Sequence, residues 1–119
     1  MNHVALIRMT WPQTALWQNS RVHWTKRRAA VKAYRYEAFA LAKQQTVSRL
    51  KTETPRLLLT FHPPDRRKRD LHNMPATQKA AIDGIADAMG CDDEGFRVSW
   101  PETWGEVVKG GCVLIEVTE

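Results

Sequence analysis

The chain has 119 residues, with 18 Lys and Arg against 13 Asp and Glu, and a formal net charge of +5. At this length it can bury one modest core, so we expect a single domain over residues 1–119 and exclude a second independent domain. With 43% hydrophobic and 26% charged residues, the composition also excludes a disordered or fibrous chain.

The first half of the chain predicts two strands and one long helix. Residues 3–9 form a short apolar segment that ends before a Trp-Pro pair, which predicts an opening strand. Residues 12–26 show no helical periodicity and predict a loop. Residues 27–50 contain no Gly or Pro, and their apolar positions recur at helical spacing, which predicts an amphipathic helix. Residues 55–62 are rich in β-formers and end at two prolines, which predicts a buried strand.

The second half predicts one helix followed by two strands. Residues 75–89 predict a helix, because Pro75 stands in the first turn and Gly90 follows the last apolar position. Residues 95–101 and 111–118 predict strands, and apolar and polar residues alternate in the second of them. The predicted order is β-α-β-α-β-β. We therefore expect an α+β domain in which helices pack on a small mixed β-sheet.

Neither a membrane segment nor a secretion signal is predicted. The sequence contains no run of about 18 apolar residues, and its N-terminus lacks the apolar core of a signal peptide. The two cysteines, Cys91 and Cys112, do not have the spacing of a zinc site or a redox motif. These features predict a cytoplasmic protein whose thiols stay reduced.

Positive and negative charges occupy different parts of the chain. Residues 1–81 hold 16 Lys and Arg against 4 Asp and Glu, whereas residues 82–119 hold 2 against 9. This polarity suits a basic surface that attracts a polyanion, together with carboxylates that could hold a cation. Solvated charges that cluster by chance would give the same totals, so composition alone leaves both interpretations open.

The densest polar segment is PPDRRKRDLHN, residues 63–73, between the second strand and the second helix. Four consecutive cations precede Asp70 and His72. If the segment is extended, these two side chains point to the same side, because side chains alternate along an extended chain. Two candidate metal ligands would then share one face. Taken alone, the pair more simply predicts a salt-bridged aspartate beside a surface histidine.

A second polar cluster, CDDEG, follows the second predicted helix. The three carboxylates Asp92, Asp93 and Glu94 repel one another unless they are solvated or bridged by a cation. A helix of about 15 residues is roughly 22 Å long, so Asp70 need not approach this cluster. The two sites meet only if the chain around Asp70 runs back along the helix.

The second predicted helix carries Lys79, Asp83 and Asp87 at positions i, i+4 and i+8. These residues form one polar stripe, which predicts surface ion pairs worth a few tenths of a kcal/mol each. A second interpretation makes Lys79 a phosphate ligand or a stabiliser of transition-state charge. The residues alone favour the ion pairs.

Together, these segments resemble the RusA family of Holliday junction resolvases, small endodeoxyribonucleases that prophages often carry. The resemblance covers most of the chain. It includes Trp11-Pro12, Asn19, Arg21, His23, Tyr34-Arg35, the segment 63–73, Lys79 to Ala81, Asp83, Asp92-Asp93 and Lys109 to Gly111. The basic block, the helical lysine and the later Asp pair are fairly specific in combination, whereas none of them is specific alone.

The resemblance implies magnesium-dependent hydrolysis of phosphodiester bonds by a homodimer. Such an enzyme makes paired nicks across four-way DNA junctions in DNA recombination and repair. By the same resemblance the catalytic residues are Asp70, His72, Lys79 and Asp93, and the metal ligands are Asp70, His72 and Asp93, with Asp92 as an auxiliary ligand. His72 stands where the family has a carboxylate, and residues 74–77 look like a short insertion. Because Mg²⁺ prefers oxygen ligands, His72 should weaken Mg²⁺ and make Mn²⁺ relatively better.

Branched DNA is the expected partner, bound through its phosphates and without sequence reading. The ten cations expected to contact it are Arg21, Lys26, Arg27, Arg28, Lys32, Arg35, Arg66, Arg67, Lys68 and Arg69. The alternative function is a junction-binding or DNA-binding protein that has lost cleavage through the His72 substitution. A third hypothesis is an RNA-binding or structural protein whose resemblance to the family is accidental.

Overall fold

Four strands form one mixed sheet in the computed structural model, which describes residues 3–18 and 20–119. The strands are β1 (Ala5–Thr10), β2 (Arg56–His62), β3 (Arg97–Ser99) and β4 (Cys112–Thr118). Their order across the sheet is β1-β4-β2-β3. β4 runs antiparallel to both β1 and β2, whereas β3 runs parallel to β2. The α+β class and the order β-α-β-α-β-β are therefore confirmed.

Alternation of apolar residues in the three long strands gives the sheet one buried face. Ile7 and Leu59 lie on either side of Ile115 in the strand register, and all three side chains are buried. In the next row, Leu6 and Leu58 lie on either side of Glu116 and are exposed. An antiparallel pair of this kind commonly packs one face on the core and leaves the other uncovered.

The helices α1 (Trp24–Gln44) and α3 (Lys79–Met89) pack against each other over this buried face, and a short helix α2 (Met74–Thr77) precedes α3. Gly84 allows the two long helices to approach closely. A Cβ atom at Gly84 would lie 2.2 Å from the Arg35 carbonyl oxygen and 2.9 Å from the Ala38 Cβ. The small residues Ala38 and Ala42 of α1 are fully buried, as a close helix contact requires.

The boundaries predicted for the first helix, 27–50, are wrong at both ends. The helix begins at Trp24, inside the segment predicted as a loop, because the His23 side chain caps it by accepting the N–H of Thr25 at 3.2 Å. It ends at Gln44, since Thr46 adopts a left-handed conformation with φ 54° and residues 47–49 form a 3₁₀ turn. Residues 14–16 of the predicted loop also form a 3₁₀ turn.

The predicted helix over 75–89 is interrupted at Gln78, which separates α2 from α3. The N–H of Gln78 bonds to the Pro75 carbonyl at 3.0 Å, so the end of the first turn is tight and does not continue as α-helix. The third strand is only Arg97–Ser99, shorter than the predicted 95–101. The first and last strands lie within two residues of their predicted bounds.

None of the helices in the described part of the chain is long and apolar enough to cross a membrane.

Candidate functional site

The chain turns back on itself after α3, and this turn positions Asp93. Gly90 ends the helix with φ 73°, and the Cys91 N–H bonds to the Ala86 carbonyl at 3.1 Å. The Asp92 carboxylate then accepts the Glu94 N–H at 2.9 Å and caps a 3₁₀ turn over Asp93–Gly95. This reversal of the chain brings the Asp93 side chain to Lys79, the first residue of α3.

Lys79 joins two carboxylates at that point. Its Nζ donates to Asp93 Oδ2 at 2.6 Å and to Asp83 Oδ1 at 2.9 Å. The hydrogen bond from Lys79 lowers the pKa of the Asp93 carboxyl, and the bonds to Asp93 and Asp83 raise the pKa of Lys79. Lys79 and Asp93 are therefore both charged near neutral pH. Two of the predicted catalytic residues, 14 positions apart, are in direct contact.

Arg35 extends this network from α1. Its guanidinium donates to both oxygens of Asp87, at 2.7 and 2.8 Å, and its Nη1 lies 3.9 Å from Asp83. The bidentate bond lowers the pKa of Asp87 and raises that of Arg35. The predicted ion pair on the α3 stripe is confirmed between Lys79 and Asp83, and Asp87 pairs across the helix contact. Arg35, predicted to contact DNA, is thus engaged by two acids of α3.

Asp70 and His72 lie at an open groove of about 700 Å³. The extended conformation that the sequence interpretation assumed is wrong: residues 71–73 form a 3₁₀ turn. Asp70 caps this turn, since its carboxylate accepts the His72 N–H at 3.0 Å. Both residues nevertheless line the groove, with Lys68 and Arg69 beside them. The two candidate ligands therefore lie on one surface, as expected, but a 3₁₀ turn brings them together and not an extended segment.

The opposite side of the groove comes from residues 102–104, which sequence reasoning did not select. Gly105 holds this segment against β2, where its N–H donates to the Phe61 carbonyl at 2.8 Å. A Cβ at Gly105 would lie 2.8 Å from the His62 ring, so a larger residue there would displace the His62 side chain. Glu102 thereby faces the same groove as Asp70. A single acid after a proline carries no signal for this placement, which depends on tertiary packing.

Three of the ten predicted DNA-contacting cations also make hydrogen bonds to other groups of the protein. Arg69 donates to Asp65 Oδ1 at 2.8 Å, and its guanidinium lies 5.7 Å from the centroid of the Trp11 ring. Arg27 donates to the Ser20 carbonyl at 3.1 Å, and Arg35 binds Asp87. The other seven are solvent-exposed: Arg21, Lys26, Arg28, Lys32, Arg66, Arg67 and Lys68. Asn19, part of the resemblance, lies outside the described residues.

The predicted metal ligands do not form one compact cluster. Within residues 3–18 and 20–119, no group of three or more His, Cys, Asp or Glu side chains could hold a metal ion. Asp93 binds Lys79, Asp92 caps its own turn, and Asp70 faces the groove. Magnesium usually takes one or two carboxylates and completes its shell with water and substrate phosphate. Exposed carboxylate oxygens at the groove suit that mode and do not suit a closed protein cage.

Comparison with known proteins shows that the chain is similar to a bacterial protein. An uncharacterized protein of Xylella fastidiosa is 42% identical over 113 residues, and the matched region spans 92% of this chain and 73% of the Xylella protein. No protein-family model matches the sequence.

Proposed function

We propose that this chain, which belongs to the same family as the Xylella fastidiosa protein, is a structure-selective DNA endonuclease. It resolves four-way junctions by metal-dependent, paired hydrolysis of phosphodiester bonds in DNA recombination and repair. The resemblance to RusA resolvases supports this proposal through the positions of Asp70, Lys79 and Asp93. The strongest support is the 2.6 Å bond between Lys79 and Asp93, because only the fold brings these two residues together.

The groove supplies the groups that such a reaction needs. Asp70 and His72 would hold a magnesium ion at the groove, where Glu102 is a further carboxylate. The other predicted ligands, Asp92 and Asp93, lie outside the groove lining and accept from Glu94 and Lys79. When bound, such an ion polarises the scissile phosphate and lowers the pKa of an attacking water. The other roles in the reaction, phosphate binding and neutralisation of charge, belong to lysine and arginine side chains.

Cations around the groove would offset the repulsion between the carboxylates and DNA. Lys68 lines the groove, and Arg66 and Arg67 stand exposed beside it on the same loop. These side chains bind phosphates on either side of the cut. The ammonium of Lys79 is exposed and fully charged, so it can neutralise charge that develops on the phosphate in the transition state.

A second candidate is a junction-binding protein that does not cut. One observation favours it: an imidazole occupies position 72 in place of the family's carboxylate. Both candidates predict salt-sensitive binding. If the seven exposed cations all contact phosphates of a duplex, log K should fall with log salt concentration with a slope of about −6.

A homodimer suits the two-fold symmetry of a four-way junction, since it supplies one site for each strand to be cut. The uncovered sheet face is the surface that we assign to the second copy. Leu6 and Leu58 are 47% and 48% exposed on either side of Glu116, and Arg8 is exposed in the next row. Two-fold pairing would bury Leu6 and Leu58 and place Glu116 of one copy near Arg8 of the other. An interface between identical copies must be complementary to itself in this way.

The test of the proposal compares cleavage with binding. A labelled mobile four-way junction and a linear duplex are incubated with wild type, Asp70→Asn and Glu106→Gln, in Mg²⁺, Mn²⁺ or EDTA. Asp70→Asn should abolish metal-dependent nicking without weakening junction binding, because it removes a negative charge at the groove but no cation. Glu106→Gln, a change at an exposed acid without an assigned role, should cut like wild type. Tight junction binding by wild type without nicking under any condition would establish the second candidate.

His72 has its own test. His72→Asp restores the family's carboxylate and should raise Mg²⁺-supported nicking relative to Mn²⁺-supported nicking, because Mg²⁺ binds oxygen ligands in preference to imidazole. A variant that loses all activity while its circular dichroism spectrum and junction affinity stay normal would show that His72 has a role of its own.

A further inference from the structure

The outer surface of α1 carries two exposed aromatic side chains with two cations between them. Trp24, Arg28, Lys32 and Tyr36 follow one another at intervals of four residues, and we call them the α1 ridge. Residues four apart are neighbours on a helix surface, so the four side chains form one continuous row. Over 12 residues the row extends about 18 Å along the helix.

The aromatic members of the ridge are not used by the core. Trp24 is 59% exposed and Tyr36 is 68% exposed, whereas Tyr34 of the same helix is buried and donates its hydroxyl to the Thr10 carbonyl at 2.8 Å. The Arg28 guanidinium lies 5.5 Å from the centroid of the Trp24 ring. The ridge therefore presents large, flat, apolar surfaces to solvent beside positive charge.

The charge around the ridge is uniformly positive along the helix. No Asp or Glu occurs between residues 20 and 36. The first acid, Glu37, is turned toward β1, where it accepts the Thr10 N–H at 2.7 Å and the Thr10 hydroxyl at 2.8 Å. A shallow depression of about 430 Å³ adjoins the ridge, with Ala29 and Val31 as apolar lining and Arg28 and Lys32 as cationic lining.

We infer that the α1 ridge binds unpaired DNA, with bases stacked on Trp24 and Tyr36 and phosphates held by Arg28 and Lys32. The inference rests on the proposed function, from which it takes DNA as the partner, and it adds that the recognised DNA is single-stranded. Aromatic platforms next to cations bind single strands because unpaired bases offer an open π-face, whereas stacked duplex bases do not. In a branched substrate, the bases at the branch point are the ones able to take this position.

Chemistry favours this occupant over a membrane surface. A helix that lies on a membrane needs a continuous apolar face, and the apolar face of α1 is buried against the sheet and α3. The ridge instead carries two cations between two aromatic side chains. Arg35, beside Tyr36 in the sequence, binds Asp87 and approaches Asp83, which accepts from Lys79. A strand on the ridge would thus lie next to the charged network that contains Lys79.

The test measures the affinity of labelled oligo(dT), a linear duplex and a four-way junction by fluorescence anisotropy at fixed salt. The double variant Trp24→Ala/Tyr36→Ala should raise the Kd for oligo(dT) at least tenfold, since each stacked base contributes about 5-fold to 150-fold in affinity. Its Kd for the duplex should change less than twofold. Trp24→Phe/Tyr36→Phe should restore oligo(dT) binding, because it keeps the ring faces.

Matched variants separate stacking from charge. Lys32→Ala should weaken both oligo(dT) and duplex and reduce the salt slope by about 1, as expected when one phosphate contact is lost. Lys109→Ala, at an exposed cation outside α1, should change neither affinity. Both aromatic residues are exposed, so thermal melting of the double variant should match wild type.

The outcomes distinguish this inference from the proposed function. Wild-type affinity of the double variant for oligo(dT), with duplex and junction binding intact, overturns the inference and leaves the proposed function standing. A change of oligomeric state in the double variant without loss of oligo(dT) affinity also overturns it, because the ridge is then a protein contact. If wild type binds neither the junction nor the other DNAs, both fail.

Discussion

The close contact between α1 and α3 predicts the sign of the change in the free energy of unfolding when Gly84 is replaced by alanine. In a helix with open space around it, Gly→Ala raises stability by about 1 kcal/mol. At Gly84 the new Cβ would lie 2.2 Å from the Arg35 carbonyl oxygen and 3.0 Å from the Phe39 backbone nitrogen, so backbone atoms must move. Overpacking of this kind costs about 3 kcal/mol at the upper end of its usual range. Gly84→Ala should therefore lower the free energy of unfolding by about 2 kcal/mol.

The assay is thermal and urea unfolding followed by circular dichroism. An unfolding entropy of about 2.1 cal/mol/K per residue gives about 0.25 kcal/mol/K for a chain of 119 residues, so the Tm should fall by about 8 °C. Ala33→Gly, at an exposed position of α1, measures the helix-propensity difference without a contact and should cost about 1 kcal/mol. A Gly84→Ala variant that is more stable than wild type would refute the close approach of the two helices.

Three further predictions concern the α1–α3 ion pair, the buried amide and the uncovered sheet face. Asp87→Asn should lower stability at pH 7 by less than about 1 kcal/mol, because the Arg35–Asp87 pair is solvent-screened. The pKa of Asp87 is lowered in the folded state, so the pair stabilises above the carboxyl's unfolded pKa. The difference from wild type should shrink as the pH falls through the folded pKa, and urea titrations over a descending series of pH values from pH 7 measure it. A difference that stays constant over the whole series would contradict this cause. Gln78→Met should be neutral or stabilising within about 1 kcal/mol, because the Gln78 Oε1 is buried with no partner among the described residues, and Tyr34 and Thr77, which accept from its Nε2, keep their other bonds. A thermal melt that shows a loss above about 2 kcal/mol would mean that the bonds to Tyr34 and Thr77 matter more. Leu58→Arg should convert a dimer to a monomer in sedimentation velocity without lowering the Tm, and unchanged sedimentation of a wild-type dimer would exclude the sheet face as the interface.

The fold class could be predicted because its signals are local. Alternating apolar residues in the strands and helical spacing in α1 and α3 each depend on a few neighbouring residues, and the order of elements follows from them. The helix ends could not be predicted as well. His23 caps α1 through a ring nitrogen, although histidine is not a favoured capping residue, and the left-handed Thr46 that follows the helix is unusual for a β-branched side chain.

In the candidate site, residue spacing predicted one contact, whereas the other contacts depend on the fold. Lys79 and Asp83 are i and i+4 neighbours, so their ion pair followed from spacing. The approach of Asp93 to Lys79 depends on the direction in which the chain leaves Gly90, which spacing does not encode. Glu102 reaches the groove only because Gly105 packs against β2, a contact between distant parts of the chain.

The most direct test of the proposed activity maps the nicks that wild-type protein makes in a mobile four-way junction with each strand labelled in turn. The proposed activity requires metal-dependent nicks at symmetric positions in two opposite strands, and no cleavage of a linear duplex of the same sequence. Tight junction binding with no nicks in Mg²⁺ or Mn²⁺, or equal cutting of the junction and the duplex, would contradict it.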